Sequence, residues 1–185
     1  MGSPSHELAF FREFLAKPLR VGALAPSGPA LAAAIAAKIP AGATGPVLEL
    51  GAGTGAVTAA ILARVPVVAV EAEPGFAALL RRRFPQSVIL QGNAFAFEDL
   101  LVSAGIADRF AAIVCGLPVI GHPAAQRLGL LRMALARLKP GAPFIQFCYA
   151  SWPPYPAEPG VTVCHAETFW RNFPPMHIWT YARNP

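Results

Sequence analysis

Val47-Leu48-Glu49-Leu50 runs directly into Gly51-Ala52-Gly53-Thr54-Gly55. A short apolar run that meets glycines at alternate positions predicts a buried strand, a tight turn and a helix starting at once. Gly51 permits the turn out of the strand. Gly53 lets the main chain approach a ligand, and Gly55 lets the next helix begin close to the sheet. The spacing is G-x-G-x-G rather than the G-x-G-x-x-G of the dinucleotide fingerprint, and no Gly-Lys-Ser/Thr makes it a phosphate loop. Glu49, at the end of the strand, faces the loop. An acid there suits a cationic ligand group better than a pyrophosphate.

The rest of the chain repeats this alternation. Further strands are predicted at Pro66–Val70, Ser87–Leu90, Phe110–Cys115 and Pro143–Tyr149, with helices to about Arg64, over Pro74–Phe84 and near Ala124–Leu138. Lys139-Pro140-Gly141 is a turn. Val161–Phe169 and Met176–Tyr181 read as a closing antiparallel hairpin. Apolar strands alternating with helices predict a mostly parallel seven-stranded sheet with helices on both faces, an α/β Rossmann-like fold. Two helices precede the first strand. Residues 4–17 form an amphipathic helix, with Leu8, Phe10, Phe11, Phe14 and Leu15 on one side and Arg12, Glu13 and Lys17 opposite. Ser27 is expected to cap an Ala-rich helix ending near Ile39. Residues 1–40 read as an N-terminal membrane-binding and lid segment and residues 41–185 as the Rossmann-like unit.

The chain is 55% hydrophobic and only 14% charged, against roughly 25% charged in ordinary soluble domains. A spanning helix needs about 18 uninterrupted apolar residues. Val21–Ala37 is broken by Pro26, Ser27, Gly28 and Pro29, and Ala111–Gly121 is short and holds Pro118, so neither crosses a bilayer. The net charge of +5 favours anionic partners, either nucleic acid or an anionic membrane surface. Cys115, Cys148 and Cys164 have no metal-binding spacing, and their odd number without a leader-like segment predicts a reducing cytosol.

Two positions beyond the loop extend the site. Glu71-Ala72 ends the second strand, where the carboxylate can accept both ribose hydroxyls of a nucleoside. The third strand is followed by Gly92-Asn93-Ala94, whose amide can read an adenine edge. With Glu49–Gly55, these residues resemble the class I S-adenosylmethionine-dependent methyltransferases over most of residues 46–149. The resemblance implies S-adenosyl-L-methionine as cofactor, S-adenosyl-L-homocysteine as product, and contacts from Glu49, Gly51, Gly53, Thr54, Gly55, Glu71, Ala72, Gly92, Asn93, Ala94 and Cys115.

The acceptor site of such folds follows the fourth strand, here Cys115-Gly116-Leu117-Pro118-Val119. Methyltransferases acting on base nitrogens often carry Asn/Asp-Pro-Pro-aromatic or Asn-Leu-Pro-Tyr there. Gly116 and Val119 occupy the places of the amide and the aromatic, so a flipped base would lose both holds. A resemblance over nearly the whole chain is to the short bacterial phospholipid N-methyltransferases. Phe14-Leu15 to Pro18, Val21-Gly22-Ala23 to Ser27, Val47–Gly55, Leu79–Pro85, Leu117-Pro118, Arg137–Gly141, Pro143–Phe147 with Tyr149, and Asn172–Pro175 with Trp179 and Tyr181 carry it. Members more often read Gly-Pro-Gly-Thr-Gly and Ser-Leu-Pro; Ala52 and Gly116 depart from that.

This resemblance implies a peripheral enzyme on the inner face of the cell membrane that converts phosphatidylethanolamine to phosphatidylcholine. It places Phe10, Phe11, Phe14, Lys17, Arg20, Gly22, Ser27, Leu117 and Pro118 at the lipid and the membrane. Tyr149, at the end of the fifth strand, is the candidate for orienting the amine, with His122, His165 and His177 as alternative proton acceptors. The expected partners are a phospholipid substrate and an anionic membrane, without nucleic acid, for a monomeric chain. The rival readings are an RNA or DNA adenine methyltransferase, a non-catalytic lipid-binding module, and methylation of another aminolipid such as an ornithine lipid.

Overall fold

The structure, a computed structural model, describes residues 28–171 and 174–184. The segment expected to form the N-terminal amphipathic helix, with Phe10, Phe11, Phe14 and Lys17, and the later Arg20, Gly22 and Ser27 lie outside the described residues. The first described helix, α1 (Pro29–Ala36), is capped by Gly28 rather than Ser27. Pro29 explains this boundary: its ring presets the helical φ at the first position and its missing N–H needs no cap.

The sheet is built as the alternation predicts. After α1 come β1 (Val47–Leu50), α2 (Ala56–Leu62), β2 (Val67–Glu71), α3 (Pro74–Arg83), β3 (Val88–Gln91), α4 (Phe97–Ser103), β4 (Ala112–Cys115), α5 (Ala124–Ala136) and β5 (Phe144–Cys148). The hairpin of β6 (Val161–Phe169) and β7 (Met176–Arg183) closes it. The strand order is β3-β2-β1-β4-β5-β7-β6. Every pair from β3 to β5 is parallel, while β7 lies antiparallel between β5 and β6. This is the class I Rossmann-like methyltransferase fold.

Period-two alternation divides the core into two layers. Leu48, Leu50, Val70, Ile113 and Phe144 face α4 and α5 through Phe97, Leu101, Leu130 and Leu131. Val47, Val67, Ala69, Val114 and Ile145 face α1, α2 and α3 through Leu31, Ile35, Ile61 and Leu80. Strands β1, β2, β4 and β5 are buried along their whole length. A large share of the apolar composition is therefore consumed by a sheet covered on both faces.

Helix α4, between β3 and β4, is not predicted from the sequence. Its signal is small: Phe97 and Leu101, four residues apart, are its buried positions, and Glu98 and Asp99 suit the positive end of a helix. Among the described residues no helix is long and apolar enough to cross a membrane.

Candidate functional site

The strand order turns back at β1, which has β2 on one side and β4 on the other. A crevice outside the carboxyl ends of strands at such a switch point is where α/β sheets bind ligands. The glycine loop occupies it. Gly51 has φ +78°, and a Cβ there would lie 2.8 Å from Leu117 Cδ2. Gly55 has φ +84°, and a Cβ there would lie 2.5 Å from the Phe84 ring, so α2 can start against α3 only with glycine at that position. Gly53 differs: nothing lies within 4 Å of its Cβ position, which leaves open space at the apex of the loop.

Glu71 fixes that apex. Its Oε2 accepts from the Gly53 N–H at 2.7 Å and its Oε1 from the Glu73 N–H at 2.8 Å. Each oxygen has a second lone pair, so the carboxylate can hold the loop and still accept ribose hydroxyls. Ala72 is exposed beside it. Arg83 bonds the Thr54 carbonyl from outside the loop.

Glu49 is buried on the α2 side of β1 and accepts a 2.6 Å hydrogen bond from Thr58 Oγ1. Burial pushes its carboxyl up to about 8, opposed by the Thr58 hydrogen bond and helped by the negative charge of Glu71. No cation of the described residues pairs with it. A buried carboxyl with no countercharge among the described residues, close enough to feel the charge of the Glu71 that holds Gly53, fits the ammonium of an amino-acid ligand. Glu71 and the loop fit a ribose. The donor set therefore fits S-adenosylmethionine.

Asn93 caps the short 3-10 turn Ala94–Ala96 by accepting the Phe95 N–H at 2.9 Å. Its carbonyl oxygen is thus engaged, which leaves the two amide N–H donors of this exposed side chain uncommitted to the cap. Gly92 donates to the Glu71 carbonyl, and Ala94 is buried. Cys115 points into the α4–α5 core layer, where burial pushes its thiol up to about 12. The thiol is neutral and turned away from the crevice, so any part Cys115 has in the site falls to its backbone.

The turn after β4 closes on the glycine loop. The Gly116 N–H donates to the Leu50 carbonyl at 2.9 Å, and Leu117 lies over Gly51. A Cβ at Gly116 would stand 2.8 Å from Phe147 Cζ and 3.1 Å from the Gly51 carbonyl. Gly116 is thus matched to Phe147, whose ring occupies the space of a side chain there. Pro118 is exposed and Val119 buried.

Beneath the turn lies a polar network absent from the sequence reading. Gln146, fully buried in β5, donates to the carbonyls of Leu117 at 3.2 Å and Phe147 at 2.9 Å. Its Oε1 accepts from the Tyr155 hydroxyl at 2.7 Å. The available signal was a glutamine within Phe144-Ile145-Gln146-Phe147-Cys148, because a buried amide must find partners.

Tyr149 follows β5 and packs, half-buried, against the α1–α3 core layer. Burial raises its phenol, which stays protonated, and its hydroxyl bonds no described side chain. The histidines do not gather around it. His122 packs against Phe95 in a tilted arrangement with ring centroids 4.4 Å apart. His165 and His177 approach at 3.2 Å and share Thr168 Oγ1. His177 pairs in register with Cys148, on the sheet face opposite the layer that holds Tyr149.

No family model matches the chain. A curated relative, ornithine lipid N-methyltransferase of Singulisphaera acidiphila, is 33% identical over 150 residues, covering 77% of this chain and 78% of the relative. Among solved structures, TrmN from Thermus thermophilus is similar with a TM-score of 0.66 and 19% identity over 84% of this chain; the chain spans 48% of that protein's length. The glycopeptide N-methyltransferase MtfA complexed with sinefungin gives 0.65 and 20%, covering 86% of this chain and 95% of that one. An O-methyltransferase from Bacillus cereus in complex with SAH gives 0.65 and 16%, covering 100% and 93%.

Proposed function

Because this chain belongs to the same methyltransferase family as the Singulisphaera acidiphila ornithine lipid enzyme, we propose that it N-methylates the amine of a membrane lipid head group, with S-adenosylmethionine as methyl donor. The acceptor is phosphatidylethanolamine, carried towards phosphatidylcholine at the inner face of the membrane. Ornithine lipid is the second reading, favoured by the relative's substrate. The seat of Leu117 on Gly51 carries the proposal: the acceptor turn meets the cofactor loop through an apolar side chain, with neither amide nor aromatic in the Gly116 and Val119 places to hold a flipped base.

When bound, the cofactor supplies an electrophilic methyl group on a sulfonium. Glu49 holds its ammonium, Glu71 its ribose, and Asn93 its adenine edge. Tyr149 accepts an N–H of the lipid amine and turns the nitrogen lone pair towards the cofactor loop, so orientation supplies much of the rate. The ring face holds the methylated, cationic products by cation–π attraction, worth about 0.5–2 kcal/mol. Phe10, Phe11, Phe14, Lys17, Arg20, Gly22 and Ser27 are assigned to the membrane and lipid side of the site.

Expression in a bacterium that makes phosphatidylethanolamine but no phosphatidylcholine tests this reading. Lipid mass spectrometry should show mono-, di- or trimethylated head groups. Unchanged lipids, with the folded protein present in the cells, contradict it.

A further inference from the structure

Five large apolar side chains of the described residues stand in solvent: Val88, Val102, Ile120, Trp152 and Trp170. Val88 opens β3 and Val102 lies in the last turn of α4, both remote from the glycine loop. The other three share one end of the molecule. Ile120 lies in the connection after β4, Trp152 after β5, and Trp170 between β6 and β7. β4, β5, β7 and β6 are successive strands, and Trp170 directly follows β6, so the three positions leave the sheet within about 15 Å of one another along the sheet. Because β7 runs antiparallel to β5, the turn entering β7 sits beside the exits of β4 and β5, around Leu117 and Tyr149.

These side chains are 40%, 59% and 77% exposed, respectively. The loop bearing Trp152 is anchored on both sides. Trp179 Nε1 donates to the Ala150 carbonyl at 3.2 Å, Arg127 bonds the Pro154 carbonyl, and Tyr155 is buried. The indole is thus held outward by a fixed backbone. Exposed Arg171 adjoins Trp170. Three separate apolar protrusions bordered by a cation match a lipid interface, where indoles keep the ring in the apolar region and the N–H in the wet layer.

We propose that Ile120, Trp152 and Trp170 form a docking rim that seats the mouth of the site on an anionic lipid bilayer, placing both indoles at head-group depth. The inference rests on the lipid-acceptor reading and adds the surface through which the acceptor is reached.

The chain has three tryptophans, and Trp179 is buried, so intrinsic fluorescence reports on the rim. The probe is a vesicle of phosphatidylethanolamine and phosphatidylglycerol containing a brominated phosphatidylcholine. The full chain should co-sediment with these vesicles, with blue-shifted and quenched emission. Trp152→Phe and Trp170→Phe should each retain part of the quenching, and the double variant, whose only indole is Trp179, should lose it. Trp170→Ala should weaken partitioning about tenfold, with an unchanged circular dichroism spectrum. Co-sedimentation without quenching of the full chain overturns the rim while leaving lipid methylation standing. Dimerisation that protects both indoles without vesicles overturns it in favour of a second copy. Absence of lipid methylation in detergent micelles, measured separately, overturns the catalytic reading while leaving the rim standing.

Discussion

At the residue scale the site turns on two carboxyl groups with opposite duties. Glu71 is committed to the backbone of the loop through Gly53 and Glu73. Glu71→Ala leaves both N–H groups without that acceptor, so it should lower the unfolding free energy by about 1–3 kcal/mol in urea titrations and weaken S-adenosylhomocysteine binding. Glu49 is buried with no countercharge among the described residues, and its carboxyl is raised to about 8. The sign follows from linkage. The folded protein without cofactor keeps a proton on Glu49 that the unfolded chain releases near 4.5, so this contribution to stability is full below 4.5 and is lost as pH rises through about 8. An ammonium ligand favours the ionised form and expels that proton. Affinity for sinefungin should therefore rise with pH up to about 8, by at most about tenfold per pH unit, with proton release visible in calorimetry in different buffers. Glu49→Gln should flatten the profile and weaken binding; an unchanged profile would refute the assignment. Tyr149→Phe should lower kcat by about tenfold or more while cofactor affinity stays as it was.

At the scale of elements, the match between Gly116 and Phe147 decides how the acceptor turn meets the cofactor loop. Gly116→Ala forces Phe147 or the Gly51 carbonyl to move and should cost about 1–3 kcal/mol. Combining it with Phe147→Leu should recover part of that loss in thermal melts; full additivity of the two losses would contradict the proposed contact. Much of this architecture was legible. Apolar runs of strand length between turn residues marked all seven strands, and Met176–Tyr181 already marked the antiparallel closure. Helix α4 was obscured by its length, since seven residues carry only one i, i+4 apolar pair. The Gln146–Tyr155 network was hidden for another reason. Its partners lie nine residues apart across Trp152-Pro153-Pro154, and nothing in local periodicity brings a loop tyrosine back over a strand. Glu49 was readable as a loop-facing acid, but its bond to Thr58 depends on helix α2 crossing the same sheet face.

At the scale of the whole molecule, the hydrophobic excess divides between a sheet buried on both faces and a mouth that carries exposed indoles. The first part is set by the two core layers. The second concerns what the protein meets, and there the charge of +5 and the apolar acceptor turn point to the same partner. Binding to anionic vesicles should weaken as salt screens the basic residues, yet persist in part through the apolar rim. The most direct measurement incubates the full chain with a labelled methyl donor and vesicles of phosphatidylglycerol with either phosphatidylethanolamine or ornithine lipid, beside RNA and DNA, and then separates the products. The account predicts label on the amine of a lipid head group, reduced by Glu49→Gln at a sub-saturating concentration of the methyl donor. Label on nucleic acid, or on no lipid at all, would contradict it.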